Sequence, residues 1–164
     1  MLIKAISCGV LLFCINSASA YNLCQRKEEV VVSFAGQKTK KLISVCKGKA
    51  SAYLVYRFGT SQKVEFQFPA ELNKESWRQF TFSSYHRYGG KQNAALGMSE
   101  LYFANGDAEY TVSENWDSDD DSSNISVTVK VGKKMLEIGG NKKTQNGSLQ
   151  SLVSEDLIKN TFGE

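Results

Sequence analysis

The sequence predicts an all-β domain of about nine antiparallel strands, arranged as a meander barrel or a sandwich, with a short C-terminal helix. Three observations predict it: short runs in which apolar and polar residues alternate, turn residues between those runs, and a single helical periodicity at the far end. Period-two alternation sets one face of each run against a core and the other against water, as half-buried antiparallel strands require.

The elements follow in chain order. Val30-Val31-Val32-Ser33-Phe34 and Leu42-Ile43-Ser44-Val45 flank Gly36 and read as a hairpin. Residues 53–58 and 64–68 flank Gly59-Thr60-Ser61, and in the second run Val64, Phe66 and Phe68 share a face. Residues 69–78 break the pattern at Pro69 and read as a loop with one helical turn. In the strand over 80–88, a core-facing Phe80 and Phe82 carry Ser84, His86 and Tyr88 inward and leave Tyr85 and Arg87 outward. Runs 101–103 and 110–112 flank Asn105-Gly106-Asp107, where Asn-Gly suits the positive φ angles of a type I′ turn. Ile125, Val127, Val129 and Val131 alternate with polar residues before a turn at Gly132-Lys133 and a last short run, 135–138. Ser148 then caps a predicted helix running to about Lys159, with Leu149, Leu152, Val153 and Leu157 as its apolar stripe.

Residues 1–20 have a different character. Lys4, an apolar run over 6–15 and the close at Ala18-Ser19-Ala20 form an export signal with an A-x-A cleavage site. A transmembrane anchor needs about 20 apolar residues, twice this run, so no anchor is expected once the signal is removed. The remaining 21–164 reads as a single domain, since no linker or repeat divides it. Removal also takes Cys8 and Cys14, leaving Cys24 and Cys46 to form one disulfide in an oxidising compartment, periplasmic or extracellular. The chain-entropy model gives such a loop about 3 kcal/mol of stabilisation.

The formal charge of +3 hides an uneven distribution. Residues 21–63 carry nine Lys/Arg against Glu28 and Glu29; residues 64–127 carry four against eleven acids; residues 128–164 carry six against four. Cross-strand pairing and a dipolar surface that steers a charged partner both follow from such a pattern. Near-neutral net charge and export both argue against nucleic acid as a partner.

Two groupings are candidate sites. Tyr53, Arg57, Tyr85 and Arg87 form an expected exposed aromatic and cationic patch, the residue types that anchor interfaces and stack on sugar rings. Residues 114–123 form an acidic loop in which Asp117, Asp119, Asp120 and Asp121 are candidates for docking a basic protein. Asp117, Asp119 and Asp121 have the early spacing of a calcium loop, but Ser122 and Thr128 stand where it needs Gly and Glu, so no metal is assigned. One histidine, and no G-x-S-x-G, H-E-x-x-H or phosphate-binding glycine loop, leave no catalytic residue and no cofactor to nominate.

The segments Lys41-Leu42-Ile43-Ser44-Val45-Cys46, Ala52-Tyr53-Leu54-Val55-Tyr56-Arg57-Phe58-Gly59 and Val64-Glu65-Phe66-Gln67-Phe68-Pro69, with Tyr85-His86-Arg87 and Leu101-Tyr102-Phe103-Ala104-Asn105-Gly106, resemble a group of small exported bacterial proteins. The resemblance implies a Gram-negative periplasmic setting and an all-β domain, and brings no activity. In size, export signal, disulfide and strand content the chain is also similar to small periplasmic lysozyme inhibitors. The absence of catalytic motifs, the acidic loop over 114–123 and the basic N-terminal third make the leading expectation a non-enzymatic periplasmic binding module, in the specific form of an inhibitor or immunity protein acting on a cell-wall hydrolase. A glycan-binding envelope module is the alternative, and a hydrolase using His86 the second alternative.

Overall fold

The computed structural model describes residues 22–163, so the expected export signal at 1–20 lies outside the described residues. The strands are β1 (Glu28–Gly36), β2 (Leu42–Gly48), β3 (Leu54–Thr60), β4 (Lys63–Phe68), β5 (Thr81–Arg87), β6 (Leu96–Asn105), β7 (Ala108–Asp117), β8 (Ser122–Val131) and β9 (Lys134–Gly147). They form one antiparallel sheet in the order β4-β3-β2-β1-β9-β8-β7-β6-β5, curled into a half-barrel. Two meanders, β1 to β4 and β5 to β9, are joined where Val32 of β1 lies opposite Gly147 of β9 and Gly36 opposite Gly140.

Because each strand runs against its neighbour, the turns after β1, β3, β6 and β8 collect at one end of the half-barrel, here the upper end. The turns after β2, β5 and β7 collect at the lower end. Two upper turns share a device: Gly106 and Gly132, each first in a two-residue loop, have φ of 60° and 58°. In the first of these Asn105 still pairs within the sheet, so the turn has a single positive φ at glycine, the type II′ pattern, in place of the expected type I′.

Alternation fills the concave face with Phe34, Ile43, Val45, Leu54, Tyr56, Phe82, Leu101, Phe103, Val112 and Val127. Phe103 stacks between Phe68 at 4.5 Å and Tyr110 at 4.7 Å, which ties β4 across the curl to β6 and β7. Each such ring pair contributes about 0.5–1.5 kcal/mol beyond area burial. The loop over 69–80 contains the expected helical turn, a 3-10 segment Lys74–Gln79 that buries Trp77.

The C-terminal helix is shorter than its stripe suggested. A 3-10 helix, Leu149–Ser154, begins at Ser148, whose hydroxyl accepts from the Gln150 amide. A repeat of three residues places Leu149 and Leu152 on one buried face and turns Val153 away, 51% exposed. Beyond it Glu155 is held by Lys47 and Ser51, so the chain leaves the helix and Leu157 is 39% exposed. The last residues then cap the β5 edge: the Asn160 side chain bonds both the amide and carbonyl of Ser84, and the Thr161 amide donates to Phe82. Covering an edge in this way removes a template for unwanted strand pairing.

Candidate functional site

Most of the residues that the sequence nominates are occupied within the fold. Arg57 faces the convex side of β3, where the segment over 22–27 lies across the sheet, pinned by the Cys24–Cys46 disulfide with Cα atoms 5.6 Å apart. It is 1% exposed, against the expected surface position, and its guanidinium meets Glu28 twice, at 2.5 and 2.8 Å. Gln67 accepts from its Nε, the Leu23 carbonyl from Nη1, and the Tyr53 hydroxyl donates to the same Glu28 carboxylate. Burial pushes the Glu28 carboxyl up, but the bonds from Arg57, the Gln25 amide and Tyr53, with the Arg57 charge, bring it below the ordinary value. The same carboxylate, with burial as the larger cause, holds the Tyr53 phenol above its usual range.

Tyr85 and Arg87 stand apart from that cluster, on the far edge of the sheet. Tyr85 stacks on Phe162 of the C-terminal tail at 4.8 Å, and Arg87 Nε donates to the Ala94 carbonyl across the β5–β6 loop. The four residues do not make the single exposed patch that their types suggested.

His86 points inward as strand parity requires, but β5 ends at Arg87 and Tyr88 is 86% exposed, a correction to the expected run. His86, Gly97 and Trp116 lie in register across β5, β6 and β7. A Cβ at Gly97 would stand 2.2 Å from the indole nitrogen, so the glycine lets Trp116 reach His86, with ring centres 5.2 Å apart. Tyr88 closes the other side at 4.5 Å, and the buried Nδ1 has no hydrogen-bond partner among the described residues. No serine or carboxylate among the described residues is bonded to this imidazole, so a nucleophile-activating pair is not assembled.

The acidic segment also divides. Glu114 and Asp117 belong to β7, and Glu114, 7% exposed, takes bonds from the Ser148 hydroxyl, the Leu149 amide and Gln145. It therefore anchors the start of the C-terminal helix. Only the tip of the β7–β8 hairpin is free acid: Asp119, Asp120 and Asp121 are exposed and pair with no cation among the described residues. Ser122 bonds the Asp120 carboxylate and holds it below its usual value. Cys24, Glu28 and Cys46 bring metal-type ligand atoms within 4.8 Å, but the sulfurs are joined to each other and Glu28 is held by Arg57.

The feature that sequence reasoning missed lies on the concave face at the upper end. The C-terminal helix fills the interior toward the lower end, and nothing comparable among the described residues fills the upper one. There Tyr56 and Phe58 of β3, Phe66 of β4 and Tyr110 of β7 form an aromatic wall. Val127, Val129 and Val131 of β8 face it with Leu136 and Ile138 of β9. Together they enclose a recess of about 490 Å³ with Lys134 at its edge. Phe66 and Tyr110 stack at 5.2 Å, and Tyr56 lies 6.0 and 6.2 Å from them. Burial, reinforced by neighbouring Tyr110, pushes the Tyr56 phenol well above its usual range, so it stays a neutral hydroxyl in an apolar wall. A second hollow of about 630 Å³, polar and open, lies between the 89–95 loop and the hairpin tip at Ser118 and Asp119.

Period two could have marked each wall strand separately, but only the curl shows which inward residues lack a partner across the sheet. Compared with protein-family models, with curated proteins and with solved structures, the chain matches none.

Proposed function

We propose that the chain is a non-enzymatic, exported binding module of the cell envelope whose ligand site is the apolar recess at the upper end of the half-barrel. The single observation that carries this reading is the recess itself. Its volume, apolar lining and place in a barrel mouth are those of small-molecule sites. The surrounding residues support it: Val131 and Leu136, both in the lining, are apolar side chains left 50% and 61% exposed. The disulfide at the start of the described residues suits an oxidising compartment.

The test is titration of the disulfide-bonded protein with the uncharged apolar probe N-phenyl-1-naphthylamine. The expected result is one saturable site that is lost in Leu136→Asp. A protein that does not enhance the probe's fluorescence overturns the reading.

A second reading rests on the hairpin tip. Three exposed aspartates without partner cations among the described residues suit docking to a basic protein, and a cell-wall hydrolase is the kind of partner that an inhibitor or immunity protein would engage. The glycan reading draws less support, because Arg57 and Tyr53 bond Glu28 and do not join Tyr85 and Arg87 in one patch.

A further inference from the structure

The recess is not electrically neutral ground. The upper end gathers the turns after β1, β3, β6 and β8, which bring Lys38, Lys40 and Lys41, then Lys63, then Lys133 and Lys134, against the single turn acid Asp107. Lys41 pairs with Glu65, but Lys38, Lys40, Lys63, Lys133 and Lys134 have no carboxylate within ion-pair distance among the described residues. Lys134 is itself part of the recess lining, and Lys41 stands 5.7 Å above the ring of Phe58, another lining residue. Gln37, at the start of the β1–β2 turn, donates its amide to Gly139, which brings Lys38 alongside Leu136, Glu137 and Ile138. The unpaired aspartates of the β7–β8 tip lie at the opposite end. The surroundings of the apolar opening thus carry more unpaired lysines than unpaired acids among the described residues.

We infer that the recess binds an anionic single-chain amphiphile, its hydrocarbon chain between the aromatic and aliphatic walls and its acidic head among the rim lysines. This rests on the reading of the recess as the ligand site and names the chemistry of its occupant. An apolar lining selects a chain but not a charge; unpaired ammonium groups around the mouth add attraction for a negative head and repulsion for a positive one. The apolar surface is a cleft between two walls, a shape that takes in one chain more readily than it lies on a bilayer.

The experiment is calorimetric titration of the disulfide-bonded protein with dodecanoate and with dodecyltrimethylammonium, each as monomer, and with phosphatidylglycerol vesicles as a third arm. The expected result is one dodecanoate per protein, bound roughly tenfold or more tighter than the cation at low salt, with the gap closing as salt rises. Exchanging both Lys133→Glu and Lys134→Glu should reduce or invert the preference, while Leu136→Asp, at a position 61% exposed, should weaken both amphiphiles. Equal binding of the two amphiphiles overturns the charge inference and leaves the apolar site standing. Binding of neither, together with a failed naphthylamine titration, overturns both. Binding to anionic vesicles alone, unchanged in Leu136→Asp, overturns the inference in favour of a membrane-surface contact.

Discussion

The convex face beneath the N-terminal segment and the concave recess at the upper end are built from the same strands, yet treat polarity in opposite ways. Under the N-terminal segment, Arg57 and Glu28 are removed from water and every charge is answered: Glu28 alone accepts from Arg57, Tyr53 and the Gln25 amide. At the upper end the interior is left apolar and open, and Lys38, Lys40, Lys63, Lys133 and Lys134 stand near it without a carboxylate partner among the described residues. Where the chain invests buried charge it leaves nothing for a ligand to satisfy. Where it leaves apolar surface and unpaired charge, it has sacrificed stability that closing the recess would have supplied, and such sites are the ones with capacity to bind.

The comparison can be broken from its stable side first. Glu28→Gln leaves the Arg57 guanidinium buried without its counter-charge, so unfolding in urea should show a loss of about 3–5 kcal/mol. The pH dependence has a definite sign. The Glu28 carboxyl is depressed on folding, so its contribution is complete above the ordinary glutamate value and is lost as pH falls through the folded one. Acidification below the ordinary glutamate range should therefore destabilise the native chain, and Glu28→Gln should flatten that slope; an unaltered slope would assign the acid sensitivity elsewhere. The Glu155 carboxyl, lowered chiefly by its bond from Lys47, adds to the same slope with the same sign.

A middle-sized effect is expected at the lower end. Glu114→Ala removes the acceptor of the Ser148 hydroxyl and the buried Leu149 amide, a cost of about 1–3 kcal/mol by equilibrium unfolding. If the helix at 149–154 is what Glu114 holds, hydrogen exchange there should rise more than in β1 or β2. The smallest stability change belongs to the recess: Leu136→Asp, at a position 61% exposed, should shift unfolding by less than about 0.5 kcal/mol while removing probe binding. A large loss of stability in that variant would mean that the upper end is a structural surface after all.

Much of the fold was legible because period-two alternation and turn chemistry are local. The strand faces of Val127, Phe66 and Phe82, the turns at Gly106 and Gly132 and the pairing of Cys24 with Cys46 follow from residue type and spacing alone. The site was much less legible. Arg57 and Tyr53 look like surface binding residues because outward parity normally means exposure, and the sequence does not show that the N-terminal segment covers that outward face. Glu114 reads as part of an acidic loop until the C-terminal helix is seen to dock its amide on it.

By itself, then, the sequence determined an antiparallel all-β chain, its turns, its disulfide and an uneven distribution of charge, all properties set by neighbours a few residues apart or by composition. Only the tertiary structure decided which faces are covered and which stay open. That depends on how far the sheet curls and on which segments cross it, from contacts such as Phe68 with Phe103 and Glu114 with Leu149 that join residues 35 apart in the chain. The recess and its ring of lysines exist because four turns of an antiparallel sheet meet at one end, a fact of topology that no single segment encodes.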